Sequence, residues 1–362
     1  MSKAPEASEE QHAALDKAAA AALTWAAPDT SLQARAKELG VWPLDVSNAR
    51  LLDLVHPRHW PDPTPPEVYD LLVVGAGAGG LVSSKQAARR GARSCMISEH
   101  LAGGDCLNVG CVPSKALLHC ARVAREARAA LAEGFLTTAA GGSGGGGGSG
   151  GAEPEATLCV DFGAVMARMR RLRAHIAPAD SHEGTVGAGA DVYQGRGRFV
   201  GRDAVSVNGR TLRFRKAVIA TGGRASVPLA TTPGLASAPY VTNATLFNLT
   251  KLPPRLVILG AGVVAMEMAQ AFSIFGSKVT VLVRSKVLPK DEPAAAEAIP
   301  SCMQVLTTAP SPHRCWPRTS RRRRRRCDGR SSVTASPSFW GSSCATSARC
   351  VSLPALKTAR LP

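Results

Sequence analysis

The chain of 362 residues has few aromatic side chains and no long apolar run. Phe, Trp and Tyr make up only 4% of its residues, so its cores must be built mainly from aliphatic and small side chains. No stretch of about 18 consecutive apolar residues occurs, which excludes a membrane-spanning helix of ordinary composition. The opening sequence, MSKAPEASEE, contains acids and no apolar segment. We therefore expect neither a secretory signal nor a membrane partner.

Acidic side chains are almost missing from residues 301–362, which contain 12 Lys and Arg residues and one acid, Asp328. This segment carries +11 of the formal net charge of +17 and lacks hydrophobic periodicity, so we predict a disordered basic tail. A basic RNA-binding tail is an alternative. We do not expect nucleic-acid binding, because one aromatic pair, Phe339-Trp340, accompanies the arginines. We prefer to interpret residues 301–362 as the product of a shifted reading frame or a mis-joined exon.

Ten cysteines occur without the dense spacing of a small disulfide-stabilised domain. This usage is typical of a reducing compartment, so we expect the cytoplasm, with a plastid or mitochondrion left open. The 45% hydrophobic content and 35 glycines are typical of an α/β protein with added loops.

Composition divides the chain into four segments. Residues 1–65 are an Ala-rich, then Pro-rich N-terminal extension, which we interpret as a linker or clasp. Residues 66–228 and 229–300 each contain one strand–glycine turn–helix–strand unit, and the tail follows from residue 301. Residues 141–151 contain nine glycines and are predicted to be a flexible insertion. The predicted fold class is α/β, with two Rossmann-like dinucleotide-binding units.

Three local patterns predict further elements. The sequence FGAVMARMRRLRAHIA, residues 162–177, predicts a helix whose basic face is solvated. Alternating apolar residues around Asn208-Gly209 predict a hairpin with a type I′ turn. The sequence KAVIATGG, residues 216–223, predicts a buried strand that ends at Thr221-Gly222.

The first unit has the pattern G-x-G-x-x-G at Gly75, Gly77 and Gly80, directly after an apolar strand. The first glycine allows a tight turn, the second lets the backbone approach a pyrophosphate, and the third lets the helix pack on the strand. Glu99 follows 24 residues after Gly75, where a carboxylate binds ribose hydroxyls. The pattern favours dinucleotide binding over a plain tight turn.

The second unit has Gly260, Gly262 and Ala265 after its strand. Val283 occupies its ribose position, and Arg284 follows. Without a carboxylate there, no repulsion excludes a 2′-phosphate, and a guanidinium is available to bind one. The sequence therefore favours NADPH over NADH. The alternative is that Arg284 is a plain surface residue with no role in binding.

Cys106 and Cys111 lie five residues apart in GGDCLNVGCVPSK, residues 103–115. In a regular helix their Cα atoms would be about 8.6 Å apart, and a disulfide needs less than about 7 Å. A bond therefore requires a break in the helix, which Gly110 makes easy.

Beyond Cys111, Pro113 suits the first turn of a following helix. Cys111 should then lie near a helix N-terminus, where a thiolate is stabilised. Two inert core cysteines and a metal site are the alternatives to a redox pair. We expect no metal, because no further ligands lie at matched spacing.

Four motifs together resemble the FAD-dependent pyridine nucleotide-disulfide oxidoreductases, the family of glutathione reductase, dihydrolipoamide dehydrogenase and mercuric reductase. They cover about residues 68–295 and are VVGAGAGG, GGDCLNVGCVPSKALL, VIATGGRASVP and VILGAGVVAMEMAQAF. The cysteine motif is most similar to that of mercuric reductase-like members.

The resemblance implies a role for each matching residue. FAD would be held by Gly75, Gly77, Gly80, Glu99, Gly104, Thr221 and Gly222, and NADPH by Gly260, Gly262 and Arg284. Cys111 would be the thiol beside the flavin, and Cys106 would exchange with substrate. Lys115 and Glu267 would pair beside the flavin ring; the alternative for each is a solvated surface charge. Electrons would pass from NADPH through FAD to the disulfide, and on to a small oxidised acceptor such as a disulfide or a metal ion.

The resemblance ends near residue 300, and we find no counterpart there of the family's second FAD segment or its interface domain. That domain supplies a His–Glu pair and most of the dimer surface, so we do not expect the family's homodimer from this chain, and we expect weak FAD binding. The alternative to an active oxidoreductase is a truncated, inactive nucleotide-binding remnant. A third hypothesis is an RNA-binding protein built on the same scaffold.

Overall fold

A computed structural model describes residues 30–136, 158–229, 232–283 and 287–288, together with the backbone of residues 304–307. These residues fall within one compact unit, Met1–Pro310. The predicted glycine-rich insertion lies outside them, as does the predicted tail apart from residues 304–307. Those four residues form a strand, which differs from the predicted disorder from residue 301 onward. Among the described helices, none is long and apolar enough to cross a membrane.

Two sheets form the framework. The first has six strands: β1 (Tyr69–Val74), β2 (Ser94–Ser98), β3 (Asp191–Gln194), β4 (Arg198–Phe199), β5 (Ala204–Val207) and β6 (Arg210–Ile219). The second has three: β7 (Arg255–Leu259), β8 (Lys278–Val283) and β9 (Gln304–Thr307). The strand orders are β3-β2-β1-β6-β5-β4 and β7-β8-β9. Parallel pairing joins β3, β2, β1 and β6, and all of the second sheet, while β4, β5 and β6 pair antiparallel.

Nine α-helices lie in the described part of the chain. They are α1 (Thr30–Glu38), α2 (Val46–Val55), α3 (Ala78–Arg89), α4 (Gly104–Asn108), α5 (Cys111–Ala132), α6 (Phe162–Asp180), α7 (His182–Val186), α8 (Asn243–Leu246) and α9 (Val263–Phe275). The units β1-α3-β2 and β7-α9-β8 confirm the two predicted strand–helix–strand repeats. The fold class is therefore α/β, as predicted.

The predicted type I′ hairpin is confirmed between β5 and β6. Asn208 has a φ of 50° and Gly209 a φ of 76°, which is the left-handed pair that this turn requires. The predicted buried strand at residues 216–223 is only partly right. It is the second half of β6 and lies beside β1, but Ile219 is 69% exposed, because no described element covers that face of its end.

The two repeats share one core. Helix α9 packs against α5 and α6, and three aromatic rings meet at that junction: Phe162 lies 5.7 Å from Phe272 and 6.0 Å from Phe275. Met166 and Leu117 are fully buried in the same cluster. Burial of such side chains stabilises by about 1.5–3 kcal/mol each, so this junction fixes the position of α5.

The described part of the N-terminal extension, residues 30–65, docks onto the first sheet as a clasp. Leu51 and Val55 of α2 are fully buried in a cluster with Leu107. The Ala102 N–H donates to the Val55 carbonyl at 2.9 Å, and Trp60 Nε1 donates to the Val192 carbonyl at 2.8 Å. Residues 30–65 are thus a packed part of the unit and contribute to the core beneath the cysteine segment.

Helix α6 is formed as predicted, but its basic face is not wholly solvated. Arg170 and Arg173 are only 8% and 2% exposed. They continue the buried stripe of Met166, Met169 and Ala177, since residues three or four apart share one helical face. The clasp covers this face, so part of its charge is buried.

The buried side chain of His182, which lies against Trp60 of the clasp, makes the stability of the folded state depend on pH. The side chain is fully buried, and its ring lies 5.0 Å from the Trp60 ring. Burial, with a smaller contribution from nearby His56, lowers the pKa of His182 to about 4. Because the unfolded chain binds this proton below pH about 6.5, the folded state loses stability as the pH falls from about 6.5 towards about 4.

We therefore predict that the free energy of unfolding falls by up to about 3 kcal/mol across that pH window. His182→Phe keeps a ring against Trp60 and removes the titration, so its slope should be smaller. A residual slope should persist, because burial also lowers the pKa of His56. The measurement is urea denaturation at a series of pH values. His119→Phe, at an exposed histidine, is the matched control, and an equal slope in His182→Phe and wild type would contradict the assignment.

Candidate functional site

The cysteine segment breaks between two helices. Helix α4 ends at Asn108 and α5 begins at Cys111, with Gly110 at φ −140° and ψ −108° between them. A Cβ on Gly110 would lie 2.7 Å from the Asp105 carbonyl oxygen, so a larger residue would force the break apart. The predicted departure from a regular helix, and the predicted position of Cys111 at a helix N-terminus, are both confirmed.

The break brings the two thiols into interaction. Both cysteines are free thiols, Cys106 partly buried and Cys111 exposed. The pKa of Cys106 is raised, first by hydrogen bonding with the Cys111 thiol and then by partial burial, while Lys115 acts in the opposite direction. The Cys111 thiol is thus a near neighbour of the Cys106 thiol.

Asn108 fixes the chain between the cysteines. Its Nδ2 donates to the carbonyls of Ala102 and Gly104, at 3.0 and 2.9 Å. The side chain is almost fully buried, so these bonds satisfy an amide NH2 that would be costly to bury without acceptors. No sequence pattern described above points to Asn108. A short amide side chain between two cysteines, where the backbone must turn, was the available signal.

The first glycine turn is shaped by close backbone contacts. Gly75 has a φ of +108°, and a Cβ there would lie 2.2 Å from the Ala220 carbonyl oxygen. A Cβ on Gly80 would lie 1.8 Å from the Gly75 carbonyl oxygen. These two glycines are therefore required by the fold itself, in agreement with the tight turn and close helix packing predicted from the spacing.

Gly77 has a different environment, which fits a dinucleotide. It precedes α3 with no side-chain cap, and a Cβ there would meet only the Gly104 Cα among the described atoms, at 3.8 Å. The first N–H groups of this twelve-residue helix thus face an open surface, with the partial positive charge that favours a diphosphate. A Cβ on Gly104 would lie 2.6 Å from the Gly77 Cα, so the turn and the cysteine segment are in direct contact.

The other residues assigned to FAD lie at the same edge of the sheet. Glu99 directly follows β2, is exposed and forms an ion pair with Arg196 at 3.7 Å. Thr221 and Gly222 follow β6 and are exposed, and the Ala220 N–H donates to the Val74 carbonyl at 2.8 Å. The carboxyl ends of β1, β2 and β6 therefore present these groups together, which is where ligands bind in open α/β sheets.

The second glycine turn is more open than the first. A Cβ added to Gly260 or Gly262 would meet no atom of the described residues within 4 Å, and Gly262 precedes α9 without a side-chain cap. Val283 ends β8 and is 2% exposed. Arg284, predicted to bind the 2′-phosphate, lies outside the described residues.

The predicted pairing of Lys115 with Glu267 is not observed. No ion pair joins them among the described side chains, whereas several others lie within 4.0 Å. Lys115 is exposed and lines a cleft of about 330 Å³ between α5 and α6, together with Cys111 and Arg168. Glu267 is on α9 and half-buried.

A metal site is not apparent in the part of the chain that the structure describes: no three His, Cys, Asp or Glu side chains there are grouped to hold an ion. The chemistry available at this site is that of the dithiol and of the two glycine turns.

Comparison with known proteins agrees with these features. The sequence profile of the pyridine nucleotide-disulphide oxidoreductases matches residues 69–305. A mercuric reductase from Lysinibacillus sphaericus is 32% identical over 232 residues, which are 64% of this chain and 39% of that protein. A dihydrolipoyl dehydrogenase from Acholeplasma laidlawii is 32% identical over 222 residues, 59% of each chain.

Among solved structures, the Cu(II) complex of the HOCl-induced flavoprotein disulfide reductase RclA from Escherichia coli is 25% identical, with a TM-score of 0.51. The match covers 66% of this chain and 48% of that one. The chain thus spans from about two fifths to about three fifths of the length of these curated relatives. With the family profile matched over most of the chain, the protein belongs to the pyridine nucleotide-disulphide oxidoreductases, a family of FAD-dependent enzymes that use NAD(P)H.

Proposed function

We propose that this chain is a flavin-dependent oxidoreductase that passes electrons from NADPH through FAD to a redox disulfide of Cys106 and Cys111, and on to a small oxidised acceptor. The observation that carries the proposal is the break at Gly110, which lets the two thiols interact. Contact of the same segment with the first glycine turn, through Gly104 and Gly77, is further support, because it places the dithiol beside a surface suited to a dinucleotide.

The proposed division of the chain follows its two repeats. Residues 66–228 would hold FAD, with a diphosphate at the N-terminus of α3 and a ribose at Glu99. Residues 229–300 would hold NADPH at the N-terminus of α9. Bound FAD would supply the hydride acceptance and two-electron transfer that no side chain of this protein can perform.

The chain's own residues would carry out the thiol chemistry. Two electrons delivered to the Cys106–Cys111 disulfide break its S–S bond and leave a thiolate and a thiol. Cys111 lies at the N-terminus of α5, where the partial positive charge of the helix favours an anion. Because the pKa of Cys106 is raised, Cys106 must give up its proton before it attacks.

Attack of Cys106 on a disulfide acceptor forms a mixed disulfide and releases one acceptor thiolate. The Cys111 thiolate then attacks the Cys106 Sγ, which re-forms the enzyme disulfide and releases the second acceptor thiolate. The overall step consumes one NADPH and one proton and gives two thiols.

The choice of NADPH rests on the end of β8. Val283 there offers no carboxylate to hold a ribose 2′-hydroxyl or to repel a 2′-phosphate. Arg284 is proposed as the phosphate-binding group. The acceptor is proposed only by class, as a disulfide, a metal ion or a similar small molecule. Among the relatives, the name mercuric reductase points to a metal ion as acceptor, and the name dihydrolipoyl dehydrogenase points to a disulfide.

The proposed electron path predicts thiols that appear on reduction. The full chain, supplied with FAD and oxidised beforehand, should gain two titratable thiols when anaerobic NADPH is added, and NADH should act more slowly. Cys106→Ser and Cys111→Ser should gain none, because one sulfur cannot form the disulfide. Cys159→Ser, at an exposed cysteine outside the site, is the matched control. A wild-type chain that binds no flavin, or gains no thiols while its flavin is bleached, would refute the proposal.

The different environments of the glycines predict separate effects on folding and on cofactor binding. Gly77→Ala and Gly262→Ala should fold like wild type, because a Cβ at either position meets no described atom closer than 3.8 Å. The added methyl should weaken dinucleotide binding, by about tenfold or more, because the backbone can no longer approach the diphosphate closely. Gly80→Ala should lose several kcal/mol of stability, through its clash with the Gly75 carbonyl.

Thermal unfolding and FAD or NADPH titration of the same samples separate the two effects. Gly201→Ala, at an exposed position outside both glycine motifs where a Cβ would meet only ordinary contacts at 3.6 and 3.7 Å, controls for a general cost of replacing glycine. Normal FAD affinity in Gly77→Ala, together with normal NADPH affinity in Gly262→Ala, would contradict the cofactor assignment.

A further inference from the structure

A buried arginine contacts the backbone between the two cysteines. Arg173 lies on α6 and is 2% exposed. Its Nη1 donates to the Asn108 carbonyl at 2.6 Å. That carbonyl ends α4, where backbone oxygens lack partners within the helix and carry partial negative charge. A guanidinium at this position therefore satisfies an oxygen in the segment that must turn to bring the thiols together.

The other side of the guanidinium is held by the N-terminal clasp. Arg173 Nη2 donates to Asn48 Oδ1 at 2.6 Å. Asn48 is fully buried and is itself fixed, because its Nδ2 donates to the Pro43 carbonyl at 2.6 Å and its N–H donates to Asp45 Oδ1 at 2.9 Å. The clasp, which lies outside the residues matched by the family profile, thus reaches the Asn108 carbonyl through Asn48 and Arg173.

Both oxygens that Arg173 contacts belong to neutral groups. The nearby carboxylate, Asp45, accepts from Arg170 Nε instead. Burial, and next the charge of Arg170, lower the pKa of Arg173 to about 10, while Asp45 opposes this. The group therefore stays charged at neutral pH. A buried cation without a carboxylate partner is costly, so it contributes to this fold chiefly through its position.

We propose that Arg173, anchored by Asn48, is a positioning residue that holds the turn between Cys106 and Cys111 in the form in which the two thiols can bond. The inference rests on the proposed function, because the geometry of the turn matters only if the thiols form a disulfide. Arg173 does not touch either sulfur. It acts through the Asn108 carbonyl. By holding the turn in place, it raises the effective concentration of one thiol at the other.

Loss of the guanidinium would leave the Asn108 carbonyl buried without its donor, which favours rearrangement of the turn. The thiols would then spend less time within bonding reach. In thiol–disulfide exchange with glutathione, GSSG takes up the two electrons and two protons of the dithiol and leaves as two GSH, while the Cys106–Cys111 bond forms. The equilibrium constant of this reaction measures the effective concentration directly, and it needs neither flavin nor NADPH.

The decisive comparison is between Arg173→Met and Arg170→Met in the full chain. Both remove a buried guanidinium from α6 and a contact with the clasp, but only Arg173 contacts the cysteine turn. We expect the disulfide-forming equilibrium constant to fall about tenfold in Arg173→Met, which corresponds to a reduction potential about 30 mV higher. Arg170→Met should lose comparable stability, through its unpaired Asp45, without a shift in this constant.

If Arg173→Met does not fold, Arg173→Lys replaces it in the comparison. Its single ammonium can reach one of the two oxygens but cannot hold both in a fixed geometry, so we expect a shift in the same direction and of smaller size. Equal constants in wild type, Arg173→Lys and Arg173→Met would overturn the inference while leaving the redox pair intact. Equal shifts in Arg173→Met and Arg170→Met would also overturn it, because they would report general loosening. A wild-type chain that forms no Cys106–Cys111 disulfide at any glutathione ratio would refute the proposed function as well.

Discussion

The site depends on one interruption of helical geometry, between Asn108 and Cys111. Continued as one helix, this segment would hold its two cysteines apart. The absence of a side chain at Gly110 lets the backbone pass close to the Asp105 carbonyl, and α5 can then start afresh at Cys111. The same interruption gives Cys111 the N-terminus of a 22-residue helix and gives Cys106 a thiol neighbour. Two chemical properties thus follow from one backbone constraint.

Three parts of the chain meet at that interruption. The first glycine turn contacts it at Gly104, the Asn108 side chain closes it from within, and α6 reaches it through Arg173. The aromatic junction with α9 fixes α5 on the opposite side. A short segment with little core of its own is therefore held by elements distant in sequence. Redox chemistry requires such support, because a dithiol can form and break its bond reversibly only if both states keep the surrounding structure.

Local signals predicted much of this fold. Both strand–helix–strand units, the Asn208-Gly209 hairpin and the helix after Cys111 follow from spacing and turn chemistry, which act within a few residues. The signals failed where distant contacts decide. Helix α6 has arginines that look solvated in the sequence, yet Arg170 and Arg173 fall on the stripe covered by the clasp. The exposed end of β6 likewise depends on how helices and sheets pack together.

The central claim is that Cys106 and Cys111 form a disulfide with each other. Mass spectrometry of the full chain after mild oxidation, alkylation and digestion without a reductant tests this directly; cleavage after Glu99 and Lys115 separates Cys106 and Cys111 from Cys95 and Cys120. We predict that the peptide containing both cysteines is lighter than its reduced form by two hydrogen atoms and carries no alkyl group, while Cys95, Cys120 and Cys159 are not bonded to either. Recovery of that peptide in doubly alkylated form, or of either cysteine bonded to a different one, would contradict it.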